Sequence, residues 1–416
     1  MVEEGRVRCK LLWTSLAISC FAPAATPAGL LAQGVTARLA GQGVLVATHV
    51  DAIPGGGSLA EFRLVQPIVT LDLGAWRGRL LLRATADFEG WSMPNGELSP
   101  GSWGEGFMDR RHPHTYVHEL VLRGTDLLGR FDGAARTALI IGKGFVPFGS
   151  DDPMSRPVLR FPINHHIAQI LERAMLAASV RAGPMEVEAA VFNGDEPERP
   201  WQWPKLDRVG DSWSARLTLR PVPGVEWQGS RARVASPEHR PGAGTPNHKW
   251  STSVRWERPL RGIPAYALLE WGRASEAGGF FVFRTWLFEA QGSPGRHRVY
   301  YRFERTERPE ELRTTDLFRS VRPHLDDQNL GTTRWMVHTV GYGLELAPKG
   351  VALELRAFAE AASARPTRVT GVLDPVTFYG RRDIVSLSFG IRTTWRMAGH
   401  RMGRYHDDTM EESHRH

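Results

Sequence analysis

Histidine is the residue in this chain best suited to chemistry near neutral pH, and it comes in clusters. His165 and His166 are adjacent, His112, His114 and His118 lie in HPHTYVH, and His400, His406, His414 and His416 lie in the stretch 400–416. Imidazole nitrogens suit zinc or copper, which raises a metal-binding reading. No pair, however, has the i, i+4 spacing of one helix face within a stretch of helical period, and a flexible tail holds metal weakly. The expectation is therefore no metal site and no cofactor. Enzyme motifs are missing too: there is no G-x-S-x-G elbow, phosphate-binding loop or H-E-x-x-H. A Ser, a His and an Asp gathered from distant strands would escape such a search, so a hydrolase stays as a third reading.

A second set of reactive groups lies in GKGFVPFGSDDPMSRPVLRFPINHHIAQILER, residues 142–173. Asp151, Asp152, Arg156, Arg160, His165, His166 and Arg173 place both charge signs in one short stretch. Such a mixture can weigh anions against cations without holding either tightly, which is what the narrow point of a pore requires. Pro153, Pro157 and Pro162 deny the stretch ladder hydrogen bonds and make it an irregular loop. It also carries Val158, Leu159, Phe161, Ile163 and Ile167. A solvated loop gains nothing from these apolar groups, whereas a loop folded inward packs them against a wall. Arg156 and Arg160 are expected near the narrowest point.

The elements that position these groups are strands. Val385, Leu387, Phe389, Ile391 and Trp395 alternate with Ser386, Ser388, Gly390, Arg392 and Thr394, the period-two signature of a strand with two unlike faces. The same alternation recurs in 213–220, 298–303 and 351–359. Sixteen candidate strands follow: 35–49, 61–74, 77–88, 115–123, 136–146, 170–181, 185–192, 212–220, 225–234, 249–257, 264–273, 280–289, 296–305, 334–346, 351–360 and 384–396. Alternation is poorest in 115–123 and 280–289. The polar face is dense in Arg and Glu on strand after strand, and Trp213, Trp250, Trp256 and Trp395 fall near strand ends. A wet interior, a lipid-facing exterior and aromatic girdles give that pattern. Long connections follow the odd strands and mostly short ones the even strands, the rhythm of long outer loops and short periplasmic turns. The fold expected is an all-β transmembrane antiparallel β-barrel of about 16 strands, with an inward-folded third loop.

The N-terminus reads as an export signal. Arg6, Arg8 and Lys10 precede the apolar run 11–22, and small residues follow. Cleavage is expected after Ala32, with Ala24 as the alternative. Ala17-Ile18-Ser19-Cys20 loosely matches a lipidation box. Both cysteines, Cys9 and Cys20, fall inside this segment, so the exported chain has no disulfide and no thiol ligand. The organisation is then 1–32 signal peptide, 33–396 barrel, and 397–416 a polar, His-containing periplasmic tail. Formal charge is +7 and mean hydropathy −0.30, which excludes a bundle of membrane helices. The arginines are scattered along the strands, not clustered on one face, which argues against a nucleic-acid partner.

Gly142-Lys143-Gly144-Phe145-Val146-Pro147-Phe148-Gly149 resembles the strand-and-loop segment of the phosphate-selective porin family. The resemblance implies a sixteen-stranded, often trimeric barrel with an inward third loop. Family members selective for phosphate use a lysine cluster and an arginine ladder. Here only Lys143, Lys205, Lys249 and Lys349 follow the signal, and they are dispersed. By strand parity Arg79, Arg83, Arg181, Arg216, Arg220, Arg255, Arg298, Arg302, Arg356 and Arg392 face the lumen. So do Asp72, Asp87, Glu186, Glu188, Glu257, Glu304, Glu354 and Glu360. The expectation is a passive porin for small hydrophilic solutes or ions with mild anion preference, not an enzyme. It would sit in the outer membrane of a diderm bacterium, surrounded by its lipid, possibly as a homotrimer. The alternative from another class is a barrel-borne, efflux-related metal-binding protein.

Overall fold

The computed structural model describes residues 34–53, 56–94, 96–98, 110–111, 114–127, 135–158, 161–197, 199–235, 246–311, 329–348, 351–372, 374–397 and 401–405. The expected signal, 1–32, lies outside them. Sixteen strands form one closed antiparallel barrel. In chain order they are β1 (Thr36–Val50), β2 (Leu59–Ala75), β3 (Leu80–Asp87), β4 (Val117–Thr125), β5 (Ala135–Gly144), β6 (Arg173–Ala182), β7 (Met185–Phe192) and β8 (Ser212–Val222). Then come β9 (Val225–Val234), β10 (Asn247–Glu257), β11 (Ala265–Glu276), β12 (Phe281–Gly292), β13 (His297–Glu311), β14 (Asn329–Glu345), β15 (Leu353–Gly371) and β16 (Ile384–Trp395). The ring closes where β1 pairs β16, from Gly41 opposite Trp395 to Val50 opposite Ser386.

The barrel is inside-out relative to a soluble protein. On β16 Phe389 is 59% exposed, while its neighbour Ser388 is 2%. The alternation that looked like a half-buried strand is a strand whose apolar face meets lipid and whose polar face is covered from within. The start of β1 and the end of β16 lie at the end that carries the short turns. All sixteen expected strands are present.

Three strands run taller than their alternation suggested. β13, β14 and β15 extend to Glu311, back to Asn329 and on to Gly371, where the loops 306–333 and 361–383 were expected. Above the lipid both faces of a strand meet water, so apolar–polar alternation fades although the ladder continues. Pro366 would break that ladder, and the β14–β15 register shifts there, between Arg334 and Trp335. A proline within a sheet is tolerated at such a bulge.

Some inward side chains brace several strands at once. Tyr300 on β13 lies across Gly341 on β14 and donates its hydroxyl hydrogen to Glu360 Oε2 on β15 at 3.1 Å. A Cβ at Gly341 would stand 1.9 Å from Tyr300 Cζ, so only glycine lets the ring pass. Gly341→Ala should displace the ring and destabilise the detergent-solubilised barrel by about 1–3 kcal/mol, the usual cost of overpacking. Urea unfolding followed by tryptophan fluorescence checks this. A midpoint equal to that of the parent chain would show that the ring does not brace the wall.

Candidate functional site

The connection between β5 and β6 turns into the lumen. Its two limbs lie against each other, with Val146 N donating to Ile170 O at 3.0 Å. Gly149 sits at φ +68, and a Cβ there would come within 1.7 Å of Ala168 O, so the limbs close only on glycine. The loop then reaches the far wall. Ile163 N donates to Glu304 Oε2 at 2.7 Å, and Asn164 Nδ2 to Glu270 Oε1 at 2.9 Å. Met154 O accepts from Gln42 Nε2 at 3.2 Å and Arg392 Nη2 at 3.0 Å. Its apolar groups pack on the inner wall: Ile163 with Val50, Trp335 and Val337, and Ile167 with Ala274 and Phe283.

The loop's charges are held by the wall. Arg156 is buried, with Nε on Asp151 O at 3.0 Å and Nη2 on Ser150 Oγ at 2.7 Å. Glu270 stands 3.5 Å from it and Glu289 3.9 Å. Asp151 is buried between Arg255 and Arg401, the latter at 2.7 Å. Burial alone would raise its carboxyl, but these two guanidiniums outweigh burial and hold it well below the usual carboxylate range. At Asp152 burial outweighs the opposing charges of His118, His114 and Arg156 and pushes its carboxyl up. His165 Nδ1 meets Pro162 O at 3.0 Å, and His166 Nδ1 stands 3.7 Å from Glu196. Arg173 donates to Leu171 O at 2.7 Å and pairs with Glu196 at 3.4 Å. Arg160 lies outside the described residues.

Of the expected periplasmic tail 397–416, the described residues Met397 and Arg401–Tyr405 do not remain outside the barrel. Arg401–Tyr405 lies inside the barrel beneath the third loop. Asp152 N donates to Met402 O at 3.2 Å, and Arg216 Nη2 to Gly403 O at 2.8 Å. Tyr405 hydroxyl accepts from Phe145 N at 3.0 Å and donates to Phe145 O at 3.1 Å. Arg401 also pairs with Glu226 at 3.0 Å, as does Arg404. Burial, reinforced by Arg216, pushes the Arg404 guanidinium down to about 10. Met397 and Met402 join Met154, Phe161 and Leu171 in one apolar cluster within the barrel. The segment looked solvated because its composition is polar, yet its arginines find buried carboxylates and its methionines find the loop. His400, His406, His414 and His416 lie outside the described residues.

Most expected wall arginines face the lumen, and many sit on carboxylates of neighbouring strands. Arg83 grips Asp72 at 2.7 and 2.9 Å, Arg216 grips Glu188 at 2.5 and 2.8 Å, and Arg302 meets Glu289 at 2.9 Å. Arg298 donates to His297 O at 3.1 Å near the short-turn end. Arg79 departs from the parity expectation. It lies in the β2–β3 turn, 5.4 Å over the Trp76 ring, because β3 begins one residue later. At the short-turn mouth Arg181, Arg220, Arg255 and Arg401 line a cavity of about 480 Å³ together with Glu226 and Glu257. The sequence reading missed Glu270 and Glu289, the partners of Arg156. Their only signal was inward parity with Tyr266 and Leu268 on β11 and with Leu287 on β12.

A closed sixteen-stranded barrel, apolar outside and charged inside, with its third loop drawn into the lumen, has the porin architecture. Among solved structures it is similar to an anion-selective porin from Comamonas acidovorans, with TM-score 0.53 and 10% identity over 87% of this chain and 100% of that one. The channel DcaP of Acinetobacter baumannii follows at TM-score 0.47 and 9% identity, over 87% and 98% of the two chains. OprB of Pseudomonas putida matches at 0.47 and 11%, over 87% and 94%. No protein-family model matches the sequence, and no curated protein matches it. The likeness is therefore one of fold, and it does not single out the phosphate-selective family.

Docking of the terminal segment leans on the Arg401–Asp151 pair. Arg401→Ala should open it to trypsin, read as faster release of the C-terminal peptide after Arg404 by mass spectrometry. The depressed Asp151 carboxyl contributes stability that is fully present above its unfolded value, about 3.9, and is lost as pH falls through its lower folded value. Protection read with a pH-tolerant protease should thus be flat from about pH 5 to 8. Release within that range would assign docking to another group.

Proposed function

We propose that this chain is an outer-membrane porin of a diderm bacterium, a passive diffusion channel for small hydrophilic solutes or ions with a mild anion preference. The observation that carries the reading is the short-turn mouth, where four arginines surround a cavity that holds two glutamates. A cationic vestibule with low-dielectric walls concentrates anions before they meet the constriction. We further propose that Asp151, Asp152, Arg156, Arg160, His165, His166 and Arg173, with the terminal segment, form that constriction. Residues 1–32 act as a cleaved signal, the exposed apolar belt meets outer-membrane lipid, and a homotrimer is the assembly.

Two features bear on the solute. Lys143 and Lys249 are buried, and Lys249 Nζ donates to His166 O at 2.6 Å. They build no lysine ladder, so general anions fit better than phosphate alone. Arg156 is balanced by Glu270 and Glu289, so removing it takes a cation from buried Glu270, while Glu289 keeps Arg302.

Planar bilayers in a salt gradient test the proposal. The parent chain should conduct and reverse on the anion side, and Arg156→Ala should move the reversal potential toward cations. Deleting 398–416 should raise single-channel conductance. A chain that reconstitutes without conducting, or that prefers cations from the outset, would refute the reading.

A further inference from the structure

We propose that the buried cluster Asp87, Glu89 and His114, flanked by His118 and Asp152, is a binding site for one divalent transition-metal cation of the zinc class. The cluster lies where β3 ends and β4 starts, at the long-connection end of the barrel, facing the third loop. Metal binding there does not depend on the chain's conducting.

The distances suit an ion. His114 Nδ1 stands 2.9 Å from Glu89 Oε2 and 3.8 Å from Asp87 Oδ2, and one ligand atom from each of the three lies within 4.8 Å of the others. Nitrogen and oxygen ligands about 2.0–2.2 Å from a tetrahedral zinc stand about 3.3–3.5 Å apart, between the two measured separations. The carboxylates are already oriented by backbone donors. Gln66 N gives to Glu89 Oε1 at 2.9 Å, and Glu89 N to Asp87 Oδ1 at 2.8 Å. The second oxygen of each is thereby turned to His114.

A separate observation points to a ligand. The β3–β4 register shifts between Thr85 and Ala86, so β4 has an extra residue there and both His118 and Glu119 point inward, each fully buried. A bulge re-aims a side chain in this way beside functional sites. His118 Nδ1 is held by Glu172 at 2.9 Å, and its Nε2, on the other side of the ring, has no hydrogen-bond partner among the described residues. Its ring lies 4.8 Å from that of His114 and within reach of the Asp87 and Asp152 charges. Asp152 uses Oδ1 for Met154 N, while its buried Oδ2 has no hydrogen-bond partner among the described residues, and both histidines act on its carboxyl. Two carboxylates and one imidazole form the donor set of a borderline cation, with the buried His118 Nε2 and Asp152 Oδ2 beside it. The groups come from three separate parts of the chain, so no single spacing along the sequence marks the site.

The test uses the purified full-length chain in detergent, stripped with chelator and titrated with zinc chloride. Calorimetry and metal content after desalting should give one retained zinc per chain. His114→Ala and Asp87→Asn should each weaken binding about tenfold or more, with folding checked by heat-modifiable gel mobility. Converting His400, His406, His414 and His416 together to Gln should leave the one equivalent in place. Should His114→Ala fail to fold, cobalt(II) in the parent chain decides: visible bands of a site with imidazole ligands support the proposal. No retained zinc, zinc lost only with the tail substitutions, undiminished binding in His114→Ala, or colourless cobalt would each overturn it.

Discussion

A backbone amide that faces hydrocarbon has no water to turn to, so each one must be paired within the chain. A sheet meets that demand only by closing on itself, which makes the β1–β16 seam the constraint on which the rest depends. Ten residue pairs from Gly41–Trp395 to Val50–Ser386 join the first strand to the last across 336 to 354 positions. Closure sends every second side chain into a confined interior and every other one into lipid. The chain can follow that rule only if its polar residues alternate strictly, and this is the pattern that makes the strands legible.

Closure also gathers charge. Arginines and glutamates forced inward from neighbouring strands neutralise one another, as Arg216 does Glu188 and Arg83 does Asp72. Planar guanidinium on carboxylate is the strongest such pairing. Removing one partner of a buried pair strands a charge and costs about 3–5 kcal/mol, so these pairs fix the wall against which the third loop is set. The loop repeats the arrangement one layer further in: Arg156 takes its carboxylates from β11 and β12, and Asp151 takes its cations from β10 and the terminal segment.

Strand number, connection rhythm and the inward faces were readable because each is a local property: period two, a turn residue, a proline-rich interruption. The remainder needed the closed ring. Glu270 and Glu289 become partners of Arg156 only when a loop more than one hundred residues earlier crosses the lumen. His118 turns inward because a bulge reverses parity, which counting along a strand cannot anticipate. Arg401 and Arg404 looked solvated because their carboxylates lie on distant strands. In each case the signal belongs to a pair of segments, not to either one.

A lumen lined by matched pairs has little net field to offer a passing ion, so selectivity falls to places where the match is uneven. The short-turn mouth is such a place, with Arg181, Arg220, Arg255 and Arg401 around Glu226 and Glu257. Arg401 is the one member of that group carried by the terminal segment and not by a strand, and it also compensates Asp151 and Glu226. Its departure would take one cation from the mouth and expose two carboxylates that it had covered. Pore width and pore charge are therefore set by the same contact. A terminal segment that withdrew would widen the lumen and, in the same step, shift its charge balance toward the carboxylates.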